Sequence, residues 1–400
     1  MSNFRKIFAA SVAGAALLAA GAASAQEEIN VGIVLGFTGP LESITPGMAA
    51  GAELAWSEVN ESGLLLDGST LTPVRADSTC IDNAAATAAA ERLVTTDNIA
   101  AIMGADCSGV TIGIVNSVAV PNGVVMISPS ATSPALSTIE DNDYFFRTAP
   151  SDARQGEVLT EVLTDNDVTS VAVSYTNNDY GKGFSDAFVA AFEAAGGTVT
   201  IAAPHDDGKG DYSAEVGALA AAGGELLVVL GYVDQGGVGI IRGAVDSGAF
   251  ERFALGDGMY GQSLIDAIGD DLNGTIGVIP GAEGDGTAKF AELAKAAGLD
   301  PSSSYTGESY DAAALIALAM QKAGSTDRAA IAAAVTEVAN APGEKILAGD
   351  LARGLQILKD GGDIDYVGAT NVELIGPGES AGTYREYEVK DGKFETVKFH

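Results

Sequence analysis

The chain has 400 residues and a formal net charge of −33 at pH 7, from 54 acidic and 21 basic residues. Such a charge repels nucleic acid and anionic lipid surfaces, so it argues against both as partners. With two histidines and two cysteines in the whole chain, a metal site built from His and Cys is not expected, and neither is a cofactor.

Residues 1–25 have the features of an export signal. Two basic residues precede an alanine-rich apolar stretch, and Ala23-Ser24-Ala25 supplies the small residues of a cleavage site. We therefore exclude this segment from the fold and predict a periplasmic protein. Later apolar runs are interrupted by Asp, Glu, Gly or Pro, so no membrane span is expected. In an oxidising compartment, Cys80 and Cys107 predict a structural disulfide.

Short aliphatic or β-branched runs alternate with alanine-rich stretches after the signal, which predicts βαβ units and parallel sheets. Strands are expected at 30–35, 72–76, 100–103, 124–128, 170–175, 198–202, 226–230 and 252–255. Helices are expected between them at 47–59, 84–95, 108–118, 182–195, 212–222 and 236–247. The extended stretch 143–150 divides the series and is predicted to cross from one α/β lobe to a second.

Beyond Gly274 the pattern changes. A strand is predicted at 276–279, helices at 289–297, 309–323 and 328–338, and a final hairpin at 383–389 and 393–398. Doubly wound sheets bind ligands beyond the carboxyl ends of their strands. Two such lobes therefore predict a ligand site in the cleft between them.

The strand ends of the first run carry small hydroxyl residues. They lie in the turns Gly36-Phe37-Thr38-Gly39-Pro40, Asp106-Cys107-Ser108-Gly109 and Ser128-Pro129-Ser130-Ala131-Thr132-Ser133-Pro134. With the free N–H groups of a helix start, such hydroxyls bind a carboxylate. A single hydroxyl of this kind is explained equally well as a helix cap, but their repetition on successive turns favours a ligand site.

The strand ends of the second run carry acids and aromatic residues instead. They lie in Asn177-Asn178-Asp179-Tyr180-Gly181, Gly231-Tyr232-Val233-Asp234-Gln235 and Gly256-Asp257-Gly258-Met259-Tyr260. Aromatic faces and carboxylates on one wall of a cleft suit an ammonium group. The alternative for each acid is an ordinary solvated loop charge.

Five features are shared with a known family: Asp77-x-x-Cys80 with Cys107-Ser108, the segment 126–134, Phe146-Arg147-Thr148, Asp179-Tyr180-Gly181-x-Gly183, and Tyr310-Asp311-Ala312. In these the chain resembles type 1 periplasmic substrate-binding proteins of ABC importers, in the leucine/isoleucine/valine-binding branch. The resemblance extends over essentially the whole chain after the signal. It implies two lobes joined by a three-crossing hinge, with residues 26–146 and 280–380 in lobe 1 and residues 147–279 and 381–400 in lobe 2.

The resemblance also implies which residues bind the ligand. The residues matching Ser108, Ser130, Ala131 and Thr132 hold the α-carboxylate and ammonium, and Phe37 is placed at the same cleft. The ammonium-binding acid matches Asp257, where the family pattern has Glu, and two tyrosines match Tyr180 and Tyr232. The sequence departs from the pattern at Ile44, where a tyrosine is expected, and at Asp234 and Gln235. These departures weaken the expectation of a branched-chain ligand, and Asp234 or Gln235 makes a polar or basic side chain, or another small zwitterion, the alternative.

The function predicted is a monomeric, non-enzymatic binding protein that closes around an amino acid or related zwitterion and delivers it to a membrane permease. One alternative is the ligand-sensing part of a receptor with a separate signalling partner. Another is a hydrolase that uses cleft carboxylates. The sequence contains no Gly-x-Ser-x-Gly elbow, no Walker loop and no Gly-x-Gly-x-x-Gly before the first helix, which argues against an enzyme.

Overall fold

The computed structural model describes residues 26–400, so the predicted export signal lies outside the described residues. The described part of the chain folds into two seven-stranded sheets, each flanked by helices, and one two-stranded sheet. The predicted class, two α/β lobes, is confirmed. Among residues 26–400, no helix is both long and apolar enough to cross a bilayer.

The elements from the start of the chain to the first crossing alternate regularly. They are β1 (Glu28–Leu35), α1 (Thr45–Ser62), β2 (Thr70–Asp77), α2 (Asn83–Thr95), β3 (Ile102–Gly104), α3 (Ser108–Ile114), α4 (Val120–Asn122), β4 (Met126–Ser128) and β5 (Phe145–Arg147). A turn of π-helix joins α3 to α4, so the two run as one helix. β3 and β4 are buried throughout, as expected of apolar strands covered on both faces.

The next elements form the second sheet and its helices. They are α5 (Asp152–Asp165), β6 (Ser170–Thr176), α6 (Asp179–Ala194), β7 (Thr198–His205), α7 (Ser213–Ala222), β8 (Leu226–Leu230), α8 (Gly236–Ser247), β9 (Phe253–Leu255), α9 (Gln262–Ile268) and β10 (Ile276–Pro280). The sequence did not predict α5 or α9. The structure places both helices in this lobe, and α5 packs against α6 and β10.

The remaining chain returns to the first lobe and then crosses again. Its elements are α10 (Asp285–Ala296), α11 (Thr306–Ala323), α12 (Arg328–Ala339), β11 (Glu344–Leu347), α13 (Leu351–Lys359), β12 (Ile364–Gly368), β13 (Leu374–Ile375), β14 (Glu379–Ser380), β15 (Tyr384–Lys390) and β16 (Lys393–Phe399). The final hairpin agrees with the prediction, whereas the parallel pair β11–β12 was not predicted. α11 is buried along nearly its whole length against α1, α12 and α13.

The first sheet has the order β13-β14-β5-β4-β3-β1-β2, and the second has the order β16-β15-β10-β9-β8-β6-β7. Most neighbouring strands are parallel, and the antiparallel pairs lie at one edge of each sheet. We call the part of the molecule built on the first sheet lobe 1 and the part built on the second sheet lobe 2. The strand order changes direction beside β1 in lobe 1 and beside β6 in lobe 2. Doubly wound sheets form their ligand crevices at such points.

The chain passes between the lobes three times, after β5, after β10 and after β14. The three crossings are hydrogen-bonded to one another. Gly281 N–H donates to the Thr383 carbonyl at 3.0 Å, and the Tyr384 hydroxyl donates to the Ser151 carbonyl at 2.9 Å. The Thr148 hydroxyl donates to the Glu308 carbonyl in α11 at 2.8 Å. The hinge is therefore a connected unit and not three independent linkers.

Candidate functional site

A small closed cavity of about 20 Å³ lies between the lobes, at the carboxyl ends of strands from both sheets. One part of its lining is polar and belongs to lobe 1: Asp106, Cys107, Ser108 and Ser130. A second part is apolar and also belongs to lobe 1: Leu41, Ile44 and Met48. The opposite wall consists of Tyr180, Tyr232, Asp257, Gly258 and Tyr305.

The polar wall is built from turns that are tied to each other. The predicted disulfide between Cys80 and Cys107 is confirmed, and it links the loop after β2 to the start of α3. The Ser130 hydroxyl donates to the Asp106 carbonyl at 3.0 Å. The Ser108 hydroxyl accepts from Ser133 N–H at 3.1 Å. Three successive turns are thereby fixed around one edge of the cavity.

Asp106 is a lining residue that sequence reasoning did not select. Its carboxyl accepts from Gly36 N–H at 2.9 Å and from the Ser78 hydroxyl at 3.1 Å, so it joins the turns that follow β1, β2 and β3. Burial raises the pKa of Asp106, and these hydrogen bonds offset the rise in part. Asp106 therefore holds the three turns of the polar wall together through buried hydrogen bonds.

Asp257 is the centre of the opposite wall. Its carboxyl accepts from the Tyr180 hydroxyl at 2.8 Å, from the Gln155 amide at 3.1 Å and from the Tyr305 hydroxyl. Burial raises the pKa of Asp257, while the two tyrosines and Gln155 lower it. Tyr232 stacks on Tyr180 with ring centroids 5.2 Å apart. A buried carboxylate edged by tyrosines can bind an ammonium group by ion pairing.

Tyr305 was not predicted as a site residue. It lies just before α11, in lobe 1, yet its hydroxyl reaches Asp257 in lobe 2. Its φ of 58° is in the left-handed region, which a bulky residue adopts only when its surroundings enforce it. The neighbouring Ser304 hydroxyl donates to the Tyr260 carbonyl at 2.7 Å, so this segment contacts lobe 2 twice.

Five of the nine predicted ligand residues line the cavity: Ser108, Ser130, Tyr180, Tyr232 and Asp257. Ala131 and Thr132 are buried directly behind Ser130. The Arg147 guanidinium donates to the Ala131 carbonyl at 3.0 Å and holds this segment in place. Thr132 accepts Asp152 N–H at 2.8 Å through its carbonyl, so it connects to α5.

Phe37 and Asp234 are placed away from the cavity. The Arg75 guanidinium lies over the Phe37 ring, 5.5 Å from its centroid. The Asp234 carboxyl accepts from Ser43 N–H at 2.8 Å and from the Ser263 hydroxyl at 2.7 Å. Because Ser43 belongs to lobe 1 and Asp234 to lobe 2, this carboxylate connects the lobes. Our expectation that Asp234 contacts the ligand side chain is not supported by this geometry.

We predict that Asp234→Ala favours the open form of the protein. The change removes the hydrogen bond that Ser43 N–H makes across the lobes to a carboxylate, so we expect closure and ligand affinity to weaken by about 1–2 kcal/mol. Small-angle scattering of the ligand-free protein measures closure, and calorimetry measures affinity. Asp246→Ala removes an exposed acid from the adjacent helix α8 and serves as the control. Identical scattering profiles for the two variants would contradict the proposed role of Asp234.

One group of potential metal ligands lies at the cavity edge. Among residues 26–400, donor atoms of Cys80, Asp106 and Cys107 lie within 4.8 Å of one another. The two sulfur atoms are joined in the disulfide, whereas metals bind cysteine as the thiolate. These residues therefore do not fit a metal in the oxidised protein.

Residues 28–353 match the family model described as periplasmic binding protein. The chain belongs to this family. It is also 31% identical, over 314 residues, to Leu/Ile/Val-binding protein homolog 3 of Brucella melitensis; the match includes 78% of this chain and 84% of that protein. Membership in the leucine/isoleucine/valine-binding branch, which the resemblance implied, is thus confirmed.

Two further binding proteins extend the comparison. BasB of Halobacterium salinarum, a substrate-binding protein of a chemotactic signal transduction system, is 27% identical over 393 residues, with 93% of this chain and 89% of that protein matched. The crystal structure of the leucine-binding protein LivK from Thermotoga maritima superposes with a TM-score of 0.77. It is 22% identical and covers 93% of this chain and 98% of the other, so it supports the fold alone.

Proposed function

We propose that this protein captures a small amino acid between its lobes and delivers it to the membrane permease of an ABC importer. The observation that carries the proposal is the polarity of the cavity: hydroxyl groups and the start of α3 lie on one wall, and the buried carboxyl of Asp257 lies on the other. This arrangement suits the carboxylate and the ammonium of an amino acid. The predicted signal and the family together favour a periplasmic location.

The apolar part of the lining favours an aliphatic ligand side chain. Leu41, Ile44 and Met48 lie side by side on it, whereas Asp234 and Gln235 do not line the cavity. The expectation of a polar or basic side chain depended on those two residues. We therefore propose leucine, isoleucine, valine or a smaller aliphatic amino acid, in agreement with the name of the Brucella relative.

Capture requires movement of the lobes. A free volume of about 20 Å³ has room for about one water molecule, which needs about 10–15 Å³ by the same measure, and not for any of these amino acids. Asp234 and Tyr305 are among the residues that hydrogen-bond across the lobes in this closed arrangement. Ligand enters an open form, and closure then surrounds it with Asp257 and the tyrosines.

A thermal-shift screen tests the proposal, because a ligand that binds only the folded protein raises its melting temperature. The panel contains leucine, isoleucine, valine and alanine, with aspartate, lysine, glycine betaine and 4-methylpentanoate as contrasts. We expect stabilisation by the aliphatic amino acids alone. Stabilisation by lysine or aspartate alone would contradict the aliphatic assignment, and chemical turnover of a hit, followed by mass spectrometry, would contradict a binding protein.

A sensing role is the second candidate function, and the match to BasB over 93% of the chain favours it. The two roles differ in the membrane partner of the closed, ligand-bound protein. Crosslinking to membranes of the source cell in the presence of leucine, followed by mass spectrometry, distinguishes them. Transport predicts an ABC permease among the crosslinked partners, and sensing predicts a chemotaxis receptor.

A further inference from the structure

Behind the cavity, Asp152 is a second buried carboxyl of lobe 2. It is the first residue of α5 and its side chain is fully buried, with 0% exposure. Gln155 lies one helical turn further on the same face, and its amide donates to Asp257 at 3.1 Å. The face of α5 that carries Asp152 is therefore turned toward Asp257.

In the part of the chain that the structure describes, several buried oxygen atoms around Asp152 have no hydrogen-bond partner. Within residues 26–400, neither of its carboxyl oxygens has a hydrogen-bond partner, and the same is true of the Thr132 hydroxyl and the Gln155 carbonyl oxygen. Thr132 lies close enough to Asp152 to lower the pKa of its carboxyl, although the two groups do not meet with the geometry of a hydrogen bond. The three carboxyl and amide oxygens of Asp152 and Gln155 are buried acceptors without a donor among the described residues, which favours an additional donor or a positive charge.

The charged groups around Asp152 offset its negative charge only in part, because Arg147 lowers the pKa of Asp152 but is engaged elsewhere. Arg147 is the nearby cation, but its guanidinium donates to two carbonyls, to the Ser137 hydroxyl and to Glu379. The other titratable groups that act on Asp152, or that it acts on, are Asp257 and the buried tyrosines Tyr180, Tyr305 and Tyr384. All of these are anionic or neutral.

We propose that Asp152 and Asp257 exchange a proton for the ammonium group of the ligand: the pair holds one proton in the ligand-free protein and releases it to solvent when an ammonium-bearing ligand binds. The inference rests on the proposed function, because it needs such a ligand. Two carboxylates in a dry site do not both ionise without a compensating cation.

The hydrogen bonds decide which member of the pair carries the proton. Asp257 accepts from Tyr180, Tyr305 and Gln155, which stabilise its ionised form. Burial, and next the negative charge of Asp257, raise the pKa of Asp152 well above its usual range. Asp152 is therefore the proton carrier and a specificity-determining residue: a ligand with an amino group can replace the proton, and a simple carboxylic acid cannot.

Calorimetry of leucine binding in phosphate and in Tris buffer measures the proton release, because the two buffers differ in ionisation enthalpy. We expect the wild-type protein to release about one proton per leucine near neutral pH, and its affinity to rise up to about tenfold per pH unit while the proton is held. Asp152→Asn should release almost none and bind leucine with an affinity that hardly changes with pH. Asp165→Asn, an exposed acid at the other end of α5, is the matched control and should behave as wild type.

The outcomes separate this inference from the proposed function. Binding of leucine by the wild type without proton release, or equal release by Asp152→Asn, overturns the proton exchange and leaves the proposed function standing. Absence of binding by leucine and by every other amino acid of the panel overturns both. The wild-type measurement does not depend on whether the variant folds.

Unfolding of the ligand-free protein at different pH values provides a second measurement. A carboxyl whose pKa is raised in the folded protein contributes its stabilisation below its ordinary pKa, and that contribution is lost as the pH rises through the folded pKa. Wild type should therefore lose stability relative to Asp152→Asn as the pH is raised from about 4 to 8. Parallel curves for the two proteins would overturn the assignment of the proton to Asp152.

Discussion

Replacing Asp257 with asparagine is expected to weaken binding of an aliphatic amino acid by about 2–5 kcal/mol, the usual effect of removing one partner of a buried charge pair. The substitution keeps the size of the side chain but leaves the ammonium of the ligand without its counter-charge. The hydroxyls of Tyr180 and Tyr305 would also face an amide that has one acceptor oxygen in place of two. Calorimetry with leucine measures the loss.

The ligand-free variant should remain as stable as wild type or become more stable. Asp257 is buried with 2% exposure, so relief of its desolvated charge offsets the weaker hydrogen bonds that Tyr180 and Tyr305 make to the amide. Asp266→Asn, which changes an exposed acid on the nearby helix α9, controls for the loss of charge. Affinity near the wild-type value in Asp257→Asn would exclude Asp257 as the ammonium-binding group.

The cysteine pair and the strand-end turns could be predicted from the sequence because parallel strands bring their carboxyl ends to one edge. Ser108 and Ser130 lie far apart in the chain but meet at the cavity for this reason. Asp257 follows the same rule in lobe 2. Local pattern and topology together were sufficient for these residues.

The helix α5 was missed although the sequence contains a signal for it. Ser151 caps the helix, and Val158, Leu159, Val162 and Leu163 form an apolar stripe at helical spacing. The stretch before Pro150 contains the extended strand β5, and α5 begins only two residues after this proline, so the extended pattern conceals the start of the helix. As a result, the sequence did not predict Gln155, which hydrogen-bonds to Asp257, or Asp152, whose pKa the charge of Asp257 raises.

The positions of Tyr305 and Asp234 relative to the cavity could not be predicted from local sequence patterns. Tyr305 reaches the site because its backbone is in the left-handed region. No Gly or Asn stands at this position to predict such a turn from the sequence. Asp234 follows a strand of lobe 2 as Asp257 does, but its loop meets Ser43 of lobe 1 outside the cavity. Whether a loop acid faces the ligand or the opposite lobe depends on how the lobes meet, and that is a long-range property.

Loss of the disulfide is expected to lower the stability of the protein by about 3.5 kcal/mol, from the chain entropy of a loop closed over a sequence separation of 27. The bridge also holds Thr79 and Cys80, both of which have positive φ, so release of this backbone strain offsets part of the loss. Leucine affinity should fall as well, because the turn that carries Ser108 is no longer anchored to that loop. Chemical denaturation and calorimetry measure the two effects.

Single and double serine variants distinguish the bridge from simple packing. Because either single change breaks the same bond, Cys80→Ser, Cys107→Ser and the double variant should lose similar amounts of stability, which is the non-additivity expected of directly linked residues. A reductant should lower the stability of the wild type to the same level and leave the double variant unchanged. If the reduced wild type kept both its stability and its affinity for leucine, the bridge would have no part in holding the Ser108 turn, and the rigidity of that wall would have to come from Asp106 and its hydrogen bonds to Gly36 and Ser78.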